Sequence, residues 1–298
     1  MDTKNVRNVN YLQVDSEICT LKGGEGIVVM SSPNAWKKFR WCRKFFDGRP
    51  SSGYFIWVKK NGSIGTCVLL SKNIRQKLDN LIIFDQGVKG KVSSLCSFKK
   101  MGGGFHDSKG KIVLMNGAKV DYVHIHNWKK EKVSVDYEFI LEKSSSLSYL
   151  MKTGSSPKKY KVNTKFKVME KGKCDTTFVM NASNSKVFIK EEMLLSGEGS
   201  TGVLKLRIVS RNGASVMAES EIIGKDKVRG HLDCQGLVIG KNSEISLDPR
   251  LRVESEKSLL THEASVGRIE EEEMYYLRSR GLSEKKAIDL LIRGFLGV

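Results

Sequence analysis

The 298-residue chain is 40% hydrophobic and 28% charged, so it can bury the core of one large domain or two smaller ones and is no disordered tail. Lysine and arginine outnumber acids by 51 to 33, a formal net charge of +18, which suits an anionic partner. The basic residues are scattered in ones and twos, as on a solvated face, so nucleic acid is not expected as the main partner. No run approaches the ~18 apolar residues of a membrane helix. The opening "MDTKNVRNVNYLQ" has no apolar segment like that of a secretory signal, so no membrane association and a cytoplasmic location are expected.

Residues 1–84 read as a small mixed segment. Within it, "NAWKKFRWCRKFF" spaces Trp36, Phe39 and Cys42 three apart among basic residues, which predicts an amphipathic helix packing its aromatic stripe on the domain. From 85 to 262 the character changes to short β-branched runs such as "KIVLM", "KVDYVHIH", "KVSVDYEFIL" and "VLKLRIV". Asn-Gly pairs in "MNGAK" and "SRNGAS" mark tight turns, because both residue types tolerate positive φ. This is an all-β body. "IGK" at residues 223–225 recurs at 239–241, an echo that would suit stacked rungs of a β-solenoid. On pattern alone, a solenoid and a sandwich both stay open.

The last segment, 263–298, is helical. "RIEEEEMYYLRSRG" carries acids in its first turn and arginines in its last, matching the helix dipole. Gly281 is placed to end it in a left-handed conformation, and Ser283 to cap a second helix striped by Ile288, Leu291, Ile292 and Phe295. The two helices either pack on the β body or offer a face to a partner.

Several chemistries are excluded by spacing. "THEASVGRI" is no zincin, since Val266 rather than histidine stands four positions after His262. "KGGEG" and "MGGGFHDSKG" lack the order of a phosphate loop, and no G-x-S-x-G elbow occurs, so ATP hydrolysis by this chain is not expected. His124 and His126 alternate by two and share a strand face, a weak metal candidate without a third ligand in the sequence. The six cysteines are dispersed with no CxxC, as free thiols of a reducing compartment would be. Cys234, alone in "HLDCQGLVIG", would be a small core residue at the mouth of a short strand.

Taken together, "LTHEASVGRIEEEEMYYLRSRGLSEKKAIDLLIRGF" closely resembles the C-terminal signature of the SufB/SufD family of iron–sulfur cluster assembly proteins. "DCQGLVIG" resembles the family's cysteine-bearing strand, and "VDYVHIHNW" its Asn-Trp strand, at Asn127 and Trp128. The resemblance covers roughly residues 85–298. It implies a right-handed parallel β-helix followed by a C-terminal helical domain, and a scaffold rather than an enzyme. It also implies a dimer, docking of a SufC-like ABC ATPase through the C-terminal helices, and a transient iron–sulfur cluster, with ATP entering only through that partner. Matched residue by residue, Cys234 is the cluster-forming cysteine, Glu263 the glutamate of the His-Glu pair, and His262 the position of a functional histidine in SufD-type chains. The docking segment comprises Tyr275, Tyr276, Leu277, Arg278, Arg280, Gly281 and Leu282. Two departures stand out: the N-terminal helical region of longer members is reduced or replaced, and no cysteine fits the family's sulfur-entry pattern, Cys174 being nearest. On the two-fold expectation, Cys234 supplies a thiolate and His262 and Glu263 labile ligands in a homodimer, with a paralogue as possible second subunit. The competing class is a basic β-solenoid binding polyanions.

Overall fold

The computed structural model describes residues 9–98, 103–269 and 271–297. Its N-terminal part holds β1 (Tyr11–Val14), β2 (Glu17–Leu21), β3 (Ile27–Ser31), α1 (Ser32–Lys38) and a 3-10 turn (Arg40–Phe45). Then come β4 (Tyr54–Val58), β5 (Gly62–Leu70), β6 (Arg75–Phe84), β7 (Lys89–Phe98), β8 (Phe105–Leu114) and β9 (Lys119–Asn127). They are followed by β10 (Lys132–Leu141), β11 (Ser146–Ser155), β12 (Lys159–Val168), β13 (Lys173–Ser183), β14 (Lys186–Leu195) and β15 (Thr201–Arg211). The chain ends in β16 (Ser215–Gly224), β17 (Arg229–Ile239), β18 (Glu244–Val253), β19 (Leu259–Arg268), α2 (Glu271–Ser279) and α3 (Glu284–Leu296).

Beyond the antiparallel pairs β1–β2 and β3–β4, consecutive strands do not pair. From β4 onward every strand pairs in parallel with the next but one, so odd strands build one sheet and even strands the other. The chain thus winds through a β-solenoid of about eight turns. Parallel stacking is already present at β4 and β5, upstream of residue 85, and runs on to Arg268.

Strict alternation builds this shape. In β10, Val133, Val135, Tyr137, Phe139 and Leu141 are buried, while the residues between them are less so. One face therefore lines the lumen and the other meets solvent, and each fully buried Val, Leu or Phe contributes roughly 1.5–3 kcal/mol. Residues one turn apart stack in columns: Phe139 lies over Phe166 with ring centroids 5.0 Å apart, and Tyr149 of the opposite sheet meets Phe139 at 4.6 Å. A single apolar core runs from Tyr11 to Cys234.

The Asn-Gly turns join strands of different sheets rather than the arms of hairpins. At Gly117 and Ser144, φ is +72° and +57°, and these left-handed turns stack on one another. Gly117 N–H donates to the Lys143 carbonyl (2.9 Å) and Ser144 N–H to that of Glu170 (2.8 Å). The turn-to-turn spacing is the true period: Thr201 stacks on Arg229 and Lys173 on Thr201, 28 positions apart in each case. The "IGK" echo is not a rung, because Ile223 lies in β16 and Ile239 in β17, on opposite sheets.

The expected basic helix is broken. Phe39 leaves helical geometry (φ −116°, ψ 96°), and the chain continues as a 3-10 turn. Its ring packs on Phe55 (5.7 Å) and Trp57 (5.9 Å), and Trp41 meets Trp57 at 4.9 Å. Packing Phe39 and Trp41 on the aromatics outside β4 outweighs one more helical turn.

Candidate functional site at the open end of the solenoid

The two ends of the solenoid differ. At the N-terminal end the sheets finish in short antiparallel additions, β2 on β1 and β3 on β4. At the other end β18 and β19 each have a neighbour on one side only. An edge strand leaves its outward N–H and C=O groups available for pairing. Along β19 only Leu260 is even partly buried; Leu259 and Val266 are 60% and 47% exposed.

The register places the family-signature residues on the last two turns. Leu232 stacks under His262, Asp233 under Glu263 and Cys234 under Ala264. Leu232 and Cys234 are buried in the lumen, so His262, in the same column as Leu232, belongs to the lumenal face. Glu263, one residue on, belongs to the outer face, where its carboxylate lies 3.9 Å from His231 Nε2. Beside it Asp233 is gripped by the Arg207 guanidinium, with Nη1 to Oδ1 at 2.9 Å. Within the chain, then, Cys234 and His262 share a face and Glu263 lies across the sheet from them.

Cys234 sits in mid-strand, 2% exposed. Burial, and then the nearby Glu191 carboxyl, push its thiol up to about 12, so it is protonated at neutral pH. Glu191 is the residue sequence reasoning missed here. It projects from β14 into the lumen, stacked under Ser220; its Oε2 and Ser220 Oγ have no hydrogen-bond partner. Burial raises its carboxyl to about 8. "KVFIKEEMLL" does carry a signal, an acid at an inward position of the alternation, but only once the strand's facing is known. Cys174 is fully buried, its thiol also pushed well up by burial.

The C-terminal helices divide their roles. Ala287, Ile292 and Leu296 of α3 are buried, and Ile292 and Leu296 pack with Val179, Val209, Leu237 and Ile239 on the outside of the odd-strand sheet. On α2 and the turn after it, Tyr275 and Tyr276 are 65% and 60% exposed; Leu277 and Leu282 are half-buried, and Arg278 and Arg280 exposed. Arg280 stacks over the Tyr276 ring at 5.4 Å. Gly281 has φ +86° and closes the turn with its N–H donated to the Arg278 carbonyl. Ser283 holds the N-cap position of α3 but makes no side-chain cap bond; the helix opens with Ala287 N–H to the Ser283 carbonyl. Glu270 lies outside the described residues.

His124 and His126 are not an exposed pair. Both are buried in the lumen of β9, and the turn before supplies a third donor, Cys96, which stacks under His126. Burial holds these imidazoles and that of His106 neutral, pulling His106 and His124 down to about 3. Cys96 was missed because its partners are 28 and 30 positions away, visible only when the solenoid period is known.

Residues 68–295 match the family "SUF system FeS cluster assembly, SufBD core domain". The chain is similar to an iron–sulfur cluster assembly SufBD family protein of Archaeoglobus fulgidus, 28% identical over 99% of this chain and 86% of that protein. It is likewise similar to family proteins of Methanothermobacter thermautotrophicus (strain Delta H; 26%, 97% of this chain, 78% of that one) and Methanocaldococcus jannaschii (26%, 95% and 88%). Fold and comparisons together define a β-solenoid protein of the SUF class. The chain belongs to the SufBD family, whose role is in iron–sulfur cluster assembly.

Proposed function

We propose that the chain is the scaffold subunit of a SUF-type assembly complex and is not itself the ATPase. Two solenoids join through their open ends as a homodimer, and an iron–sulfur cluster is built there as cargo. Cys234 supplies the thiolate; His262 and Glu263 are weaker ligands that permit release, because iron in such clusters favours thiolate over imidazole and carboxylate. A two-fold axis doubles every donor and offsets the single cysteine per chain. A SufC-like ABC ATPase docks on α2 through Tyr275, Tyr276, Leu277, Arg278, Arg280, Gly281 and Leu282, while α3 anchors that segment to the solenoid. Since Cys234 is a buried thiol, loading requires the last turns to open, and closure of two docked ATPases is the motion that would supply it. The reading places the complex in the cytoplasm.

The observation that carries this is positional: Cys234 and His262 fall on one face of the last two turns, beside edge strands with no outer neighbour. Anaerobic reconstitution with iron and sulfide tests it. Wild type should develop cluster absorption and a matching Mössbauer signal that Cys234→Ala loses; an unchanged cluster in that variant rejects the assignment. Co-purification with the ATPase that survives deletion of residues 268–298 rejects the docking surface.

A second reading has one observation in its favour. Lys132, Lys159 and Lys186 stack in register on successive turns, a cationic ladder suited to a linear polyanion. Affinity for a polyanion that falls steeply with salt, in a chain that binds no iron, would favour it.

A further inference from the structure

We infer that Cys96, His124 and His126 form a site for a borderline-soft divalent metal ion, Zn2+ or Fe2+, inside the solenoid and separate from the open end. The donor atoms all lie within 4.8 Å of one another. Cys96 Sγ is 3.6 Å from His124 Nε2, which is 3.0 Å from His126 Nε2. With metal bonds of about 2.05 Å to nitrogen and 2.3 Å to sulfur at tetrahedral angles, donor pairs fall roughly 3.3 Å (N···N) and 3.6 Å (S···N) apart. The side chains therefore stand close to where an ion would hold them, and one thiolate with two imidazoles is a donor set such ions accept.

The surrounding atoms fit the same role. A metal-bound imidazole leaves its other nitrogen protonated, and that N–H needs an outer acceptor. His124 Nδ1 meets Tyr149 Oη at 3.3 Å and His126 Nδ1 meets Tyr160 Oη at 2.5 Å; with both Nδ1–H groups donating there in the metal-bound form, both Nε2 lone pairs would be free for the ion in place of the present Nε2···Nε2 hydrogen bond. His106 adds a further sign. Gln76 Nε2 is committed to the Asp15 carbonyl at 2.6 Å, so Gln76 Oε1 accepts from His106 Nδ1–H at 2.7 Å. His106 Nε2 is then a bare acceptor, buried and without a partner, its ring 6.4 Å from that of His126. A fourth ligand, a water on the ion, would be a donor for it. A surface cleft of about 610 Å³ has His106 and Tyr160 among its lining residues.

This site is independent of Cys234. His124 and Cys234 lie in one column four turns apart, about 19 Å at ~4.8 Å per turn, and Met151, Phe178 and Leu206 fill the column between them. No polar side chain bridges the two along it.

The test uses the tag-free full chain, reduced, stripped with chelator and titrated anaerobically with Co2+ in the absence of sulfide. One ion per chain should bind, with a thiolate-to-cobalt charge-transfer band. The band should vanish in Cys96→Ser, persist in Cys234→Ser and His262→Ala, and need about tenfold more Co2+ in Tyr160→Phe. No saturable binding, a band that survives Cys96→Ser, or one lost with Cys234→Ser overturns the proposal. If Cys96→Ser fails to fold, X-ray absorption of Zn2+-loaded wild type decides: one sulfur and two imidazoles support the site, and any other ligand set rejects it. Because sulfide and Cys234 are not needed, failure here leaves the open-end assembly reading standing, and the reverse holds too.

Discussion

Cys234 is placed where its chemistry is held back. A thiol raised to about 12 and 2% exposed is a poor nucleophile and must shed a proton before it ligates anything. Alkylation followed by mass spectrometry should therefore label exposed Cys19 quickly and leave Cys234 and Cys174 largely unmodified; fast labelling of Cys234 in the isolated chain would contradict its burial. Glu191 makes a second prediction. A carboxyl with a folded pKa of about 8 keeps a proton that the unfolded chain gives up above about 4.5. Its contribution is thus fullest below about pH 4.5 and is lost as pH rises to about 8. Glu191→Gln should flatten that fall and stabilise the protein at pH 7 by on the order of 3 kcal/mol, read from urea unfolding across pH. An unaltered pH profile would mean Glu191 is solvated. Asp233 is 5% exposed and held by Arg207, so Arg207→Ala strands a buried charge and should cost about 3–5 kcal/mol in urea unfolding.

Elements were legible in the sequence where local pattern decides them. The alternation of "KVSVDYEFIL", the left-handed stop at Gly281 and the start of the second helix after Ser283 were each written in adjacent residues. What escaped was set by contacts across many positions. Phe39 left its helix for aromatics on β4, and Cys96 met His124 and His126 through a 28-to-30-residue period that the "IGK" echo had misdirected. Glu191 could not be recognised as lumenal until its strand's facing was known. The resemblance carried the solenoid itself, which pattern alone left level with a sandwich. At this scale α3 is the test piece. Ile292→Ala removes a buried anchor and should cost about 2–4 kcal/mol, seen as faster amide exchange across α2 and α3 with the solenoid strands unaffected. Exchange that rises throughout the strands would show that α3 is integral to the solenoid rather than a docked arm.

The whole molecule is a rod with unlike ends: the N-terminal one finished by antiparallel strands, the C-terminal one left as two edge strands, of which β19 carries His262 and Glu263 next to Cys234 of β17. In the proposed homodimer the exposed parallel edge, with Leu259 and Val266 uncovered, would be the surface for a second copy, and pairing there would place two copies of Cys234 and His262 near one axis. The interior Cys96 cluster lies four turns away behind Met151, Phe178 and Leu206, so the rod would hold two distinct metal chemistries. The claim that assembly happens at the joined ends is tested most directly by placing a charge on that edge. Val266→Asp, measured by light scattering and anaerobic iron–sulfide reconstitution on the same sample, should yield a folded monomer that builds no cluster. A monomer that assembles the cluster as well as wild type would contradict the account.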